Sequence, residues 1–284
     1  MNQKCLSTLR ATSLSLSIFT FFLLLLRKAL CVDPHFEECG AINKCGDQQI
    51  SYPFWIEGQQ KPYCGHPGFV LTCKNDTPIL RIPYNDYIVK KIFYTNQSIL
   101  VSNYAVLDSN NVCFPRIRNM TLEDSRFEDY KDVPMLVLYS NCSLKSPLPK
   151  ELSSYMVDCD GGDGLVKFPN DASLGSWTDN CKTKVMAPIH QLSENDENEE
   201  FLGILRKGFE LKWVANNCSV CGESGGHCGF DNLNHFRCFC PDRPHAYHCV
   251  GPPVPAVLVI RGSSLEVEDP QLGDCHSSIH LVYF

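Results

Sequence analysis

The sequence predicts a mainly β, disulfide-rich fold: two cysteine-rich β modules with one short helix, the second ending in a knot of cysteines. Three observations carry this reading. Seventeen cysteines are spread over 284 residues, and six of them fall between Cys218 and Cys249. From Cys39 to Cys142, short β-branched and aromatic segments alternate with clusters of Asn, Asp, Gly and Pro. The chain opens on an apolar leader with basic flanks, so its cysteines are expected to meet an oxidising compartment.

In the leader, Lys4 and Arg10 precede an apolar run from Leu14 to Leu26 that only Ser15, Ser17 and Thr20 interrupt. Ala29 and Cys31 are the small residues a signal peptidase requires, so residues 1–31 are read as a signal peptide. The run falls short of the ~20 apolar residues that a membrane-spanning helix needs. Removing its four basic residues takes the net charge from −7 to −11. Such a balance excludes nucleic acid and anionic membranes as general partners. Fourteen cysteines lie between Cys39 and Cys249, an even number that suits seven bridges, with Cys275 left over. Asn75, Asn96, Asn119, Asn141 and Asn217 head glycosylation sequons, which are expected at surface positions of a secreted, glycosylated protein.

Residues 32–145 read as the first module. Ile50, Tyr52, Phe54 and Ile56 alternate as in a half-buried strand, with Pro53 suggesting an edge or a bulge. Pro67-Gly68 marks a turn, and Ile79–Ile82, Tyr87–Tyr94 and Ile99–Val101 read as further strands. "SPLPKE" at 146–151 is read as a linker. The second module, 152–249, contains a Gly-rich loop with Asp160 and Asp163, whose spacing does not fit an EF-hand calcium loop. Ser193–Val214 gives the clearest helix: Ser193 as cap, acids in the first turns, Phe201, Leu202, Ile204 and Leu205 as the apolar face, and Gly208 as the stop. Phe209, Leu211 and Trp213 then alternate as a strand. The tail 250–284 has little core-forming pattern and is expected to be disordered.

The cysteine cluster from Cys218 to Cys249 admits three chemistries. Zinc favours paired C-x2-C knuckles, but only Cys218 and Cys221 have that spacing, and Cys238 and Cys240 form a C-x-C. A redox dithiol at Cys218 and Cys221 would need a helix start in a βαβ setting, which nothing nearby suggests. Disulfides are the favoured reading, with no metal or cofactor. His227, His235, His245 and His248 then become loop residues. From the second cysteine onward, the spacing resembles an EGF-like module. That resemblance implies Cys218–Cys228, Cys221–Cys238 and Cys240–Cys249, leaving Cys39, Cys45, Cys64, Cys73, Cys113, Cys142, Cys159 and Cys181 for the other bridges.

Two groups of motifs go further. "ISYPFWI" (50–56) and "CGHPGFVLTC" (64–73) resemble the galacturonan-binding domain of plant wall-associated receptor kinases. "GFELKWVANNCSVCGESGGHCGF" (208–230) with "FRCFC" (236–240) resembles the cysteine-rich domain that follows it. The pair is similar to the ectodomain of the leaf-rust-resistance-like receptor kinases. The resemblance implies a plasma-membrane receptor with an intracellular Ser/Thr kinase in full-length members. This sequence contains no Gly-rich kinase loop and no HRD or DFG motif, so no enzymatic activity is expected of it. The implied partner is cell-wall pectin or oligogalacturonide. Carboxylates call for Arg or Lys and sugar rings for aromatic faces. Candidate residues are Trp55, Tyr63 and His66 for stacking, and Lys61, Arg81, Lys90, Lys91, Arg116 and Arg118 for charge. The alternative is a secreted or cell-surface module that binds a protein or peptide, a decoy receptor with no sugar binding. A secreted hydrolase would need two carboxylates across a cleft, and Asp158, Asp160 and Asp163 crowd one loop without a counterpart.

Overall fold

The computed structural model describes residues 32–107, 114–123, 125–128, 133–144, 150–157, 163–169, 171, 174–193, 196, 199–250, 257–261 and 264–268. The leader, Cys113, Cys159, Asp158, Asp160 and all but the end of the expected linker lie outside the described residues. Residues 42–216 form one compact unit; the described parts of 32–41 and 217–268 belong to another. The fold is mainly β, with four short helices among the described residues.

The larger unit opens with a hairpin of β1 (Asn43–Cys45) and β2 (Gln48–Ile50). Then come β3 (Trp55–Ile56), β4 (Val70–Lys74), β5 (Thr77–Ile82), β6 (Asn85–Phe93) and β7 (Ser98–Asn103). β8 (Met135–Cys142), β9 (Met156–Val157), β10 (Asp163–Lys167), β11 (Cys181–Pro188) and β12 (Phe209–Lys212) follow. A six-stranded sheet runs in the order β12-β7-β6-β5-β4-β3, and a four-stranded sheet in the order β11-β8-β10-β9. The β4–β5 turn places Asn75 and Asp76 at φ 47° and 59°, left-handed positions that these two residue types tolerate.

Two local expectations are corrected. Ile50–Ile56 is not one strand. Phe54 N–H donates to Ser51 O at 3.0 Å, closing a turn around the cis Tyr52–Pro53 bond, and only Trp55–Ile56 re-enter a sheet, parallel to β4. The helix does not start at Ser193 but spans Phe201–Lys207. Ser193 instead donates from both N–H and Oγ to Asp196 Oδ2 at 2.8 Å. Lys207 Nζ reaches Asp196 Oδ1 at 2.6 Å and also pairs with Glu199. The acids thus tie the approach segment to the far end of the helix, where the lysine waits. Gly208 stops the helix at φ 82°, and a Cβ there would lie 2.1 Å from Val101 O.

Beyond that stop, Phe209 and Leu211 are buried and Glu210 and Lys212 exposed, so β12 can add to β7 with its apolar side inward. Here a strand from the second block of sequence completes a sheet made by the first. Phe54 packs edge-on against Phe69 and Trp213, with ring centroids 5.2 and 5.0 Å apart, and Ile56, Leu71, Leu80, Ile82, Val89, Ile99 and Val101 fill the same core. Val106, Ile117, Leu136, Leu138, Val166, Ile189 and Ile204 make a second cluster. Cys45–Cys73 and Cys142–Cys181 cross-link this unit, and Cys39 and Cys64 are also disulfide-bonded.

The smaller unit is an antiparallel sheet of β13 (His227–Phe230), β14 (Phe236–Phe239) and β15 (Pro244–His245), flanked by helices Pro34–Gly40 and Ser219–Glu223. Asp33 caps the first helix, accepting from the N–H groups of His35 and Phe36, and His35 stacks on Phe239 at 5.2 Å. Asp231 fastens the β13–β14 turn by accepting from the N–H groups of Leu233 and His235 and from Arg237. The bridges are Cys218–Cys228, Cys221–Cys238 and Cys240–Cys249, the pairs the EGF-like resemblance implied. In the tail, β16 (Val257–Arg261) pairs with β17 (Ser264–Glu268).

Gly226 sits where these sulfurs converge: a Cβ would lie 2.5, 2.7 and 2.9 Å from the Sγ atoms of Cys238, Cys249 and Cys221. Backbone carries that contact, so it cannot rotate away. Gly226→Ala is expected to yield secreted protein with scrambled or incomplete bridges in this unit. Non-reducing peptide mapping would check it, and recovery of the three native pairs at wild-type yield would refute it.

Candidate ligand-binding groove

The β5–β6 hairpin turns through Pro83 and Tyr84, and its register sets Arg81 directly opposite Asp86. A cross-strand pair of opposite charge follows. Arg81 Nε donates to Asp86 Oδ1 at 2.7 Å and Nη2 to Oδ2 at 3.0 Å, a two-pronged contact. Those hydrogen bonds hold the Asp86 carboxyl below the ordinary carboxylate range and raise the already basic Arg81. Tyr84, at the tip, has φ 69° and is 71% exposed. A bulky side chain on left-handed backbone is costly, and such positions concentrate at functional sites.

Directly after the tip, Asn85 is buried. Its Nδ2 donates to Arg118 O at 3.0 Å, and its Oδ1 accepts from Arg118 N–H at 3.1 Å and from Asn103 Nδ2 at 3.0 Å. Asn103 Oδ1 in turn accepts from Ala105 N–H, opening the short 3-10 turn Tyr104–Val106. One amide therefore joins the start of β6, the end of β7 and the 116–118 segment. Ile117 is buried, while Arg116 and Arg118 point outward.

The result is a groove of about 490 Å³ lined by Arg81, Tyr84, Asn85, Asp86, Asn103, Tyr104, Ala105 and Arg116. That volume lies in the range of small-ligand sites. Arg116 has no ion-pair or hydrogen-bond partner for its guanidinium among the described residues. Among the described residues the lining offers one available cation, one neutralised Arg–Asp pair and two aromatic faces. This inventory suits sugar hydroxyls and a carboxylate.

Of the candidates read from sequence, the structure brings Arg81 and Arg116 together here. Arg118 is not in the lining; its backbone is bonded to Asn85, which is. Trp55 and His66 meet elsewhere, where they hold the Cys64–Phe69 loop. Trp55 Nε1 donates to His66 O at 3.2 Å, His66 N–H to Pro53 O at 2.9 Å, and Gly68 N–H to His66 Nδ1 at 3.2 Å. A Cβ on Gly65 would lie 2.3 Å from the Trp55 ring. Tyr63 is half-buried in the adjoining 3-10 turn, Pro62–Cys64, which the exposed Lys61 precedes. Lys90 is the extra residue of a bulge in β6; neighbouring Lys91 lies over the Phe93 ring at 5.0 Å. Tyr84, Asp86, Asn85, Asn103 and Tyr104 were missed from sequence. The aromatic at the tip of the Pro83–Asn85 turn was the signal available for the first of them.

These features define a disulfide-stapled β module bearing a cationic, aromatic groove. Residues 39–103 match the wall-associated receptor kinase galacturonan-binding family, and residues 165–243 match the wall-associated receptor kinase C-terminal family. The chain thus carries both of these wall-associated receptor kinase domains. It is 34% identical over 242 residues to leaf rust 10 disease-resistance locus receptor-like protein kinase-like 1.2 of Arabidopsis thaliana, covering 80% of this chain and 36% of that protein. It is 28% identical to the -like 2.1 protein of the same plant, covering 86% and 40%. It is also 24% identical to RING-H2 finger protein ATL22 of Arabidopsis thaliana, over 70% of this chain and 53% of that protein. The chain spans 36–40% of the length of the two kinase-like relatives. No solved structure matches it. Among the described residues no helix is long and apolar enough to cross a membrane.

Burial and the nearby Arg126 push the His66 imidazole down to about 4 from its ordinary 6.5. The folded state then refuses a proton that the unfolded chain accepts, so stability falls as pH drops from 6.5 toward 4. His66→Gln, which keeps a side-chain acceptor for Gly68, is expected to flatten that slope. Melting temperatures across this pH window would check it; an unchanged slope would show that His66 does not titrate as its burial requires.

Proposed function

We propose that this chain is an extracellular recognition module for acidic cell-wall polysaccharide, held in the Arg81–Arg116 groove, with no chemistry of its own. The carrying observation is the Arg116 guanidinium, without a partner among the described residues, lining a groove that also presents Tyr84 and Tyr104 and is built mainly on strands of the matched galacturonan-binding segment. A guanidinium binds a carboxylate by two parallel hydrogen bonds, and tyrosine faces accept the C–H face of a pyranose. Galacturonan supplies both partners in one repeating unit. The two matched families are wall-associated, which supports a cell-wall location, and the disulfide bridges suit such an oxidising setting.

The chain, expressed by secretion, is expected to bind oligogalacturonide in calorimetry, more weakly as salt rises. Arg116→Ala should weaken binding about tenfold or more, and Arg116→Lys should recover part of it, since a lysine keeps the charge and loses the fork. Titrations with and without calcium separate direct contact from cation bridging. Absence of binding to any uronic-acid oligomer by the folded wild type would overturn the reading. Capture of a cell-surface protein alongside a silent glycan panel would replace it with protein or peptide recognition.

A further inference from the structure

We propose that Asn119 carries an N-linked glycan that covers the open edge of β11 and keeps one copy of this chain from pairing with another through that edge. This inference goes beyond the function proposed above and does not depend on what the groove binds.

Each of the two large sheets has one very short edge strand, β3 (Trp55–Ile56) or β9 (Met156–Val157). Their other edges, β12 and β11, are longer, and an exposed edge offers unpaired N–H and C=O groups to another chain. Protein covers β12: Phe127 bridges to Trp213, and Glu128 N–H donates to Lys212 O at 2.9 Å. β11 is different. Met186 N–H points away from β8, since it donates to Asn119 Oδ1 at 2.8 Å. Alternate residues of an antiparallel strand turn their polar groups the same way, so Lys184 faces outward too, and it is exposed. Among the described residues no backbone group outside β8 bonds to Lys184. A lysine guards an edge when its charge projects past it. The Lys184 Nζ instead lies over the Tyr139 ring of β8, 5.9 Å from its centroid.

Asn119 brings a sugar to that edge. Asn119-Met120-Thr121 is a glycosylation sequon, and the disulfide bridges suit the oxidising compartment where such sites are modified. Ile117 and Met120 are buried on either side, so the segment is anchored, while Asn119 itself is exposed. Its Oδ1 is spent on Met186, and its Nδ2 has no hydrogen-bond partner among the described residues. Glycosylation uses that nitrogen. Nδ2 gives up a proton and bonds to the anomeric carbon of an oligosaccharide carried on a lipid diphosphate; the sugar–phosphate C–O bond breaks and the diphosphate leaves. The oxygen keeps its bond to Met186, so the first sugar is rooted beside the strand. A second strand would have to run about 4.8 Å from β11, through the space that Asn119 and its sugar fill. The exposed Asn75 and Asn96 head sequons too, but they stand at the turns of the β4–β5 and β6–β7 hairpins, whose strands already have neighbours on both sides.

The test expresses the full chain by secretion and measures site occupancy and mass. Glycopeptide mapping is expected to find Asn119 occupied, and light scattering to find a monomer whose mass does not change with concentration. Thr121→Ala removes the sequon and keeps Asn119 with its bond to Met186; its mass should rise toward twice the monomer's as concentration increases. Adding Lys184→Pro, which deletes an outward N–H and is tolerated on an edge strand, should restore the monomer. Thr121→Ser, which keeps the sequon, should behave as wild type. If Thr121→Ala is not secreted, trimming the glycans from the folded wild type with an endoglycosidase should produce the same self-association, and Lys184→Pro should prevent it. An unoccupied Asn119 overturns the inference, as does a wild type that already self-associates. So does a folded Thr121→Ala or trimmed protein that stays monomeric, and so does self-association that Lys184→Pro leaves unchanged.

Discussion

Covalent closure by sulfur is the constraint on which this molecule depends. Its apolar residues are divided among several clusters, and among the described residues the smaller unit has short strands and two one- or two-turn helices around its cystines. A segment of that size buries too little apolar surface to offset chain entropy. Bridges worth about 2–4 kcal/mol each supply the difference by restricting the unfolded chain. Crowding is the structural consequence. Three Sγ atoms close on Gly226 so tightly that no side chain fits, and the backbone there serves as packing for sulfur.

In the larger unit, which Cys45–Cys73, Cys142–Cys181 and its apolar clusters also hold, the groove region depends on the hydrogen bonds of a single buried amide. Asn85 is paired on both its donor and acceptor sides, and each partner belongs to a different stretch of chain. Such a group is stabilising when fully satisfied and costly when one partner is lost. The groove inherits its shape from this arrangement. Asn85 holds the Arg118 backbone, which fixes where Arg116 can stand two residues earlier. Tyr84, immediately before Asn85, is carried on left-handed backbone at the rim.

Much of the β structure was legible in the sequence because it is local. The β-branched segments at Ile79–Ile82, Tyr87–Tyr94 and Ile99–Val101 coincide with β5, β6 and β7 to within a few residues, and Gly208 followed by Phe209 and Leu211 announces a helix stop and a strand. What the pattern could not carry was partnership. Nothing in the period of Phe209–Lys212 says that it pairs with Ser98–Val101, over a hundred residues earlier. The acids after Ser193 look like the start of a helix until Lys207 is known to face Asp196. The same limit applies to the groove. Arg81 and Arg116 were recognisable as cations, but whether either is available depends on register and on a remote amide. Register gives Arg81 to Asp86, and the amide anchors the segment that carries Arg116. Trp55 and His66, conspicuous in sequence for their chemistry, have that chemistry consumed by the loop they close.

The groove also crosses the limit of the family segment, and this separates framework from recognition. The matched segment ends at residue 103, so it supplies the Arg81–Asp86 pair, Tyr84 and the Asn85–Asn103 floor. Tyr104 and Arg116 lie beyond it. The floor is buried and fully hydrogen-bonded, so changes there cost stability before they alter binding. Arg116 is exposed and has no partner among the described residues, so its replacement costs the fold little and alters the net charge of the groove directly. A match to the galacturonan-binding segment identifies the scaffold; under the function proposed above, the residue at position 116 sets how acidic a ligand that scaffold holds.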